Sequence, residues 1–206
     1  MEFVSIDPAH GTENARFDMH GPDAVETALA AAHEAHLAWR FTPMSERADR
    51  LRAVGTLLRE RKEEFGALMT AEMGKPITQA VAEADKCAWV CDYYAEHSEA
   101  LLAPVDTPTD ASRSYWAYRP LGIVLGIMPW NFPFWQVIRF ATPAMTAGNA
   151  AVLKHAPSVP QCALALQSLF RDAGYPSGLF ANLFVDVDAT GDLIDDPRIR
   201  AVSLTG

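Results

Sequence analysis

The chain has 206 residues, of which 50% are hydrophobic and 21% are charged, a balance typical of globular proteins. Its formal net charge of −9 disfavours a nucleic-acid partner, which would favour a basic face. No apolar run reaches the roughly 18 residues of a membrane span, and the first residues show neither a basic leader nor a cleavage site, so we expect a cytoplasmic protein without a membrane partner.

Helical signals dominate the first half of the chain. Pro22 suits a first helical position, and apolar residues then recur every three or four positions. Ser45 is a plausible N-cap for a second helix. A third helix is predicted to stop at Gly74, and Pro76 can open a fourth through "ITQAVAEADKCAWVCDYYAEHSEALL". These signals predict a layer of antiparallel helices.

The cysteines and histidines of this layer do not predict a metal site. Cys87 and Cys91 lie four positions apart on a predicted helix and, with His97, could be metal ligands, but two small apolar residues on a packed stripe are the favoured interpretation. His33 and His36 lack carboxylate or thiolate companions. Three cysteines without a secretory signal do not indicate a disulfide framework.

Strands alternate with helices in the second half, after "APVDTPTDAS" interrupts the helical pattern. "SRSYWAYRP" alternates polar and aromatic residues as an exposed strand would. Further strands are predicted at "GIVLGIM", "AAVLK", "LFANLFV" and "RAVSLTG", with helices between them. Apolar strands that do not alternate predict a parallel sheet covered by helices on both faces, and therefore an α/β fold.

Polar residues follow the strands of this predicted sheet. Asn131 comes after the first parallel strand, Lys154 ends the second, and Thr205 and Gly206 end the last. Ligands of open parallel sheets bind beyond the carboxyl ends of the strands, so these positions are expected to meet at one edge. An amide, an ammonium and a glycine turn suit a ligand with phosphate and ribose groups. The GxGxxG, P-loop and GxSxG motifs are absent from the sequence.

The stretch "IMPWNFPFWQVIRF" is predicted to display an amide on a bend. Proline on either side of Trp130 and Asn131 forces the backbone to turn there. The alternative is that the Asn131 amide caps the following helix. Arg139 lies on that helix among apolar residues, where a buried guanidinium would need an anion. It could instead extend to water or pair with an acidic side chain.

Several motifs together resemble the aldehyde dehydrogenase superfamily. They are "MSERADRL", "EMGKPITQA", "RPLGIVLGIMPWNFPFWQ", "TAGNAAVLKHAP" and "VSLTG", which occur in the family's order over nearly the whole chain. "LKHAP" with "PWNFPFWQVIR" is most similar to bacterial succinate-semialdehyde dehydrogenases. The resemblance implies a Rossmann-like domain that binds NAD or NADP, a catalytic domain with a cysteine nucleophile and a glutamate base, and an oligomerisation hairpin.

The resemblance also implies how the chain is organised. Residues 1–104 would be the helical part of the cofactor-binding domain, residues 105–121 the oligomerisation hairpin, and residues 122–206 an incomplete Rossmann-like segment. The implied assembly is a homo-oligomer, a dimer or a tetramer.

The family's site residues map onto positions of this sequence. Asn131 corresponds to the amide whose N–H stabilises the oxyanion formed when a thiolate attacks the aldehyde, and Lys154 to the lysine that contacts a ribose. Arg139 corresponds to the residue that holds the distal carboxylate of succinate semialdehyde, with Trp135 beside the substrate. The implied cofactor groove comprises Met128, Pro129, Trp130, Asn131, Lys154, Pro157, Thr205 and Gly206.

Two departures from the family pattern qualify this interpretation. NAD-preferring relatives often carry a glutamate where this chain has Pro157, so NADP is admissible. None of Cys87, Cys91 and Cys162 lies in the nucleophile motif. We therefore expect the chain to be the N-terminal portion of the enzyme and to be inactive alone. Two alternatives are a dehydrogenase for another aldehyde and a non-catalytic nucleotide-binding or assembly module.

Overall fold

A computed structural model describes residues 2–206, which form eight strands and seven helices. In chain order the elements are β1 (Glu2–Ile6), β2 (Glu13–Asp18), α1 (Pro22–Trp39), α2 (Met44–Glu60), α3 (Lys62–Met73), α4 (Ile77–Leu101), β3 (Val105–Asp106), β4 (Tyr115–Trp116), β5 (Ile123–Met128), α5 (Trp135–Thr146), β6 (Ala150–His155), α6 (Pro160–Asp172), β7 (Phe180–Asn182), α7 (Val187–Asp195) and β8 (Ile199–Leu204).

A four-stranded parallel sheet with the order β7-β6-β5-β8 forms the centre of the fold. Helix α1 packs against β5, β6 and β7, while α5 and α6 also pack against the sheet. Almost every residue of β5 and β6 is buried, so both faces of these strands are covered. The predicted parallel sheet with helices on both faces is confirmed.

Helices α2, α3 and α4 form an outer layer over α5 and α6. The predicted end of α3 is confirmed, because Gly74 is its C-cap with a left-handed φ of 72°. The predicted N-cap of α2 was wrong: the helix begins at Met44, and Pro43 rather than Ser45 occupies the N-cap. The extended ψ of 146° at Pro43 suits that position, and the N–H that proline lacks is not needed before a helix. Pro76 likewise precedes α4 as its N-cap.

An antiparallel hairpin of β1 and β2 was missed by the sequence analysis. In β1 the buried side chains are Phe3 and Ser5, while Ile6 is exposed, so the strand lacks the apolar alternation that identifies a half-buried strand. The Phe3 side chain of this hairpin packs on Phe184, two residues after β7, with a ring-centroid distance of 5.1 Å. The turn signal of Asp7, whose Oδ1 accepts the N–H of Ala9 at 2.8 Å, was present in the sequence.

The second hairpin, β3 with β4, falls within residues 105–121. It is shorter than "SRSYWAYRP" predicts, because only Tyr115 and Trp116 pair with the opposite strand. Tyr115, Trp116 and Tyr118 are each about half exposed, at 48%, 48% and 53%. The role of this hairpin in oligomerisation stays a prediction.

Helix α5 lies close to β5 because Gly126 has no side chain. A Cβ atom at Gly126 would meet the Phe140 ring at 2.4 Å, too close for any side chain. This contact fixes α5, and the bend before it, against the strand that leads into the bend.

None of the helices within residues 2–206 has the length and apolar character needed to cross a bilayer.

Candidate functional site

The carboxyl ends of β5, β6 and β8 lie side by side, as the sequence predicted. Lys154 is level with Ile127 in the parallel register, and Leu204 is level with Ile127 from the other side. The N–H of Thr205 donates to the carbonyl of Ile127 at 3.0 Å. Lys154, the turn at Thr205 and the bend that follows Met128 therefore meet at one edge of the sheet.

Asn131 stands exposed at the outside of this bend. Its neighbours Trp130 and Phe132 are 52% and 44% exposed, while Met128 before the bend is buried. Within residues 2–206 its side chain makes no hydrogen bond, and Phe134 is the N-cap of α5. The alternative that Asn131 caps the following helix was therefore wrong, and its amide is available to a ligand.

A buried carboxylate from the outer helical layer caps α5 instead. Oε1 of Glu83, on α4, accepts the N–H groups of Phe134 at 3.0 Å and of Trp135 at 2.9 Å. Oε2 of Glu83 forms an ion pair with Lys75, and both side chains are at least nine-tenths buried. The Lys75 ammonium also lies 3.7 Å from the ring centroid of Phe132. Glu83 and Lys75 thus hold the helical side of the bend.

A buried histidine from the sheet holds the other side of the bend. Nε2 of His155 lies 2.9 Å from the carbonyl oxygen of Pro133, and Nδ1 lies 2.9 Å from the N–H of Ala156. Since Nδ1 accepts from Ala156, we assign the proton to Nε2, which donates to Pro133. Burial lowers the pKa of His155 to about 4, so the ring is neutral at pH 7.

This buried neutral His155 predicts a pH-dependent stability. Its pKa is 6.5 when solvated and about 4 in the folded protein, so the unfolded chain binds the extra proton between these values. The stability contribution is complete above pH 6.5 and is lost as the pH falls towards 4. By these pKa values the loss is on the order of 3 kcal/mol, to be measured by denaturant unfolding over this range.

A substitution at position 155 tests this prediction. His155→Gln, which removes the buried imidazole, should flatten that part of the profile. Burial also lowers the pKa of His20 and His36, so some slope will remain. Identical slopes for His155→Gln and the unsubstituted protein would contradict the assignment.

The N-termini of the three helices that follow strands β5, β6 and β7 already hold protein carboxylates. Glu83 caps α5, and Glu72 caps α6 by accepting the N–H groups of Gln161 at 2.9 Å and Cys162 at 2.8 Å. The Asp186 side chain caps α7. A phosphate group would be repelled there, so these helix ends are not phosphate sites.

Lys154 is the cation at this edge. Its side chain is half-buried, and burial lowers the pKa of its ammonium, an effect that the charge of Asp186 opposes. No carboxylate oxygen of residues 2–206 lies within 4.0 Å of this ammonium. A partly desolvated cation without a partner suits a polar or anionic ligand.

Arg139 lies on the exposed side of α5, so its guanidinium is not buried among the apolar residues and extends to water, one of the alternatives that the sequence left open. Within the part of the chain that the structure describes, it forms no ion pair, which removes the acidic-partner alternative. Trp135, half-buried, precedes it by four residues and shares its helix face. The Lys86 ammonium lies 4.0 Å from the Trp135 ring centroid. The Lys86 ammonium therefore lies over this indole, and Arg139 lies about one turn further along the same face of α5.

The sequence analysis missed Lys75, Glu83, Lys86 and His155. Glu83 carried a local signal, since it falls on the α4 stripe of small buried residues that includes Ala80 and Cys87. The cysteines are not candidate nucleophiles here, because Cys87, Cys91 and Cys162 are all buried and burial raises the pKa of each thiol.

The chain is similar to known proteins over its whole length. A family model described as the aldehyde dehydrogenase family matches residues 1–206. A probable NADP-dependent succinate-semialdehyde dehydrogenase of Synechocystis is 47% identical over the whole chain, which covers 45% of that protein. The Escherichia coli succinate semialdehyde dehydrogenase Sad, described as using NAD(P), is 46% identical over 98% of the chain and 44% of that protein.

The same relationship holds for solved structures. A succinic semialdehyde dehydrogenase from Streptococcus pyogenes, crystallised with NADP+, superposes with a TM-score of 0.94 at 32% identity. The match covers 97% of this chain and 44% of that one. The chain thus spans less than half the length of the relatives it matches.

Proposed function

The chain belongs to the aldehyde dehydrogenase family, and we propose that it is the N-terminal portion of an NAD(P)-dependent enzyme that oxidises succinate semialdehyde to succinate. The observation that carries the proposal is the exposed Asn131 amide on a rigidly held bend, beside the unpaired half-buried Lys154. Relatives at 46% and 47% identity are named for this substrate.

In this proposal the residues at the sheet edge have separate roles in catalysis and in cofactor binding. The Asn131 N–H stabilises the oxyanion that forms when a thiolate attacks the aldehyde carbon. Met128, Pro129 and Trp130 line the cofactor groove. Lys154 donates to a ribose hydroxyl of the cofactor, which suits its lack of a carboxylate partner within residues 2–206.

The remaining cofactor contacts are also proposals. The turn at Thr205 and Gly206 completes the groove at the end of β8. Pro157 is exposed three residues after Lys154 and offers no carboxylate to repel a 2′-phosphate, so NADP is accepted. The bound nicotinamide supplies the hydride acceptor.

Arg139 and Trp135 would form the substrate side of the site. The guanidinium is exposed and has no carboxylate partner in the described chain, so it is free to bind the distal carboxylate of succinate semialdehyde. Lys86, whose ammonium lies over the Trp135 ring, adds positive charge to the same region of a chain with net charge −9. This local excess of positive charge favours an anionic aldehyde over a neutral one.

We further propose a cytoplasmic homo-oligomer. The half-exposed aromatic residues Tyr115, Trp116 and Tyr118 on the 105–121 hairpin are a suitable contact for a second copy. The alternatives are a dehydrogenase for another aldehyde, which the exposed cation pair around Trp135 disfavours, and a non-catalytic nucleotide-binding or assembly module.

The decisive test begins with the gene. Reading the DNA beyond codon 206 should reveal a continuing frame with a cysteine motif, and the full-length enzyme that it encodes should reduce NADP with succinate semialdehyde. Residues 1–206 alone should show no aldehyde oxidation, because no accessible cysteine lies in residues 2–206. A frame that ends at codon 206 would favour the module. Turnover with butanal equal to that with succinate semialdehyde would favour another aldehyde.

A further inference from the structure

The bend that displays Asn131 makes few hydrogen bonds of its own. Residues 129–134 contain Pro129 and Pro133, which have no N–H to donate. The carbonyl of Phe132 accepts from Gln136 at 3.1 Å, but the Asn131 side chain is unattached within residues 2–206. The position of the bend therefore depends on groups from elsewhere in the fold.

The groups that hold the bend come from opposite sides of it. Glu83 binds the N–H groups of Phe134 and Trp135 from the helical layer, and His155 donates to the carbonyl of Pro133 from the sheet. All three attachment points lie within four residues of Asn131. We propose that Glu83 and His155 are positioning residues that aim the Asn131 amide at the reacting aldehyde; this inference rests on the proposed function.

The burial of charge at Glu83 supports a geometric role. Glu83 and Lys75 are 4% and 7% exposed, and a buried ion pair often contributes less stability than apolar residues of the same volume. A carboxylate that accepts two N–H groups nevertheless fixes the start of α5 in one orientation. Because an oxyanion donor must lie within a few tenths of an ångström of its target, such fixation affects catalysis directly.

The chain provides a matched control. Glu72 is also buried, at 3% exposed, and also accepts two backbone N–H groups, but at the start of α6 rather than α5. Loss of charge at Glu72 removes the same kind of helix cap as loss of charge at Glu83, but Glu83→Gln also leaves the buried Lys75 ammonium without its partner. The free energy of unfolding is therefore measured for both variants. Only Glu83 contacts the bend that carries Asn131.

The test is the rate of the NADPH burst in the full-length enzyme, which reports thiolate attack and hydride transfer. We expect Glu83→Gln to lower this rate by about 10-fold, and Glu72→Gln by less than about 2-fold. His155→Phe, which keeps a ring but removes the donor, should lower it similarly, and His155→Gln, whose amide can donate, should restore most of it. The dissociation constant of NADP should be unchanged in Glu72→Gln, and in the three variants that alter the bend it should change by a smaller factor than the burst rate.

A double-mutant cycle with Asn131→Ala separates this inference from the proposed function. If Glu83 and His155 act through the amide, their substitutions should add little once Asn131 is alanine. Full additivity, or equal losses for Glu83→Gln and Glu72→Gln, would overturn the positioning role. An Asn131→Ala enzyme with an unchanged burst would instead refute the proposed function itself. Should Glu83→Gln not fold, the His155 pair carries the same cycle.

Discussion

Replacing Asn131 with alanine in the full-length enzyme is expected to lower the burst rate of NADPH formation by about 100- to 1000-fold. The amide is exposed on the bend after β5 and makes no hydrogen bond within residues 2–206, so its removal leaves no buried polar group unsatisfied. The expected loss is therefore one of transition-state stabilisation rather than of folding.

Lys154→Ala is the control for this result, because it alters the other polar group at the same edge. We expect it to raise the dissociation constant of NADP, measured by calorimetry, with a much smaller effect on the burst rate at saturating cofactor. Asn131→Ala should show the reverse pattern. If Asn131→Ala weakened cofactor binding and left the burst rate intact, the amide would belong to the groove and not to the oxyanion site.

The arrangement of the sheet could be predicted because its signals are local. The apolar stretches of β5 and β6 and the residues that follow them lie within a few positions of one another. Once parallel strands are assumed, their carboxyl ends must share an edge, which brings Asn131, Lys154 and Thr205 together. The order of the strands follows from no such local signal, and the sequence analysis did not predict it.

The support of the bend could not be predicted, because its contacts join distant segments. Glu83 precedes its partner Phe134 by 51 residues, and His155 follows Pro133 by 22. A hydrophobic pattern indicates which face of α4 is buried, but not which backbone N–H groups of another helix will contact a carboxylate on that face. The sequence left the exposure of Arg139 open for a similar reason, since apolar neighbours in sequence do not decide which side of a helix meets solvent.

The largest effect expected on substrate choice comes from Arg139. Arg139→Ala in the full-length enzyme should raise the Michaelis constant for succinate semialdehyde by about 10- to 100-fold, the range set by a lost hydrogen bond to a charged group. The Michaelis constant for butanal, which has no carboxylate, should change by less than about 2-fold. Initial rates at saturating NADP measure both values.

Arg171→Ala provides the matched control for loss of charge. Arg171 is also on a helix of the parallel-sheet segment, with its side chain 74% exposed, but it pairs with Asp172 instead of lacking a partner. Its substitution removes the same charge and should leave both Michaelis constants nearly unchanged. A similar rise for both variants with succinate semialdehyde would reduce the Arg139 effect to long-range electrostatics.

The pattern over both aldehydes decides what Arg139 does. An exposed guanidinium contributes little to folding, so a structural role predicts almost no change with either substrate. Contact with the distal carboxylate predicts a loss confined to succinate semialdehyde, because that contact orients the aldehyde carbon and has no counterpart in butanal. Equal losses on both substrates would assign Arg139 to the shape of the site around Trp135 and would leave the specificity to Lys86, whose ammonium lies over the same ring.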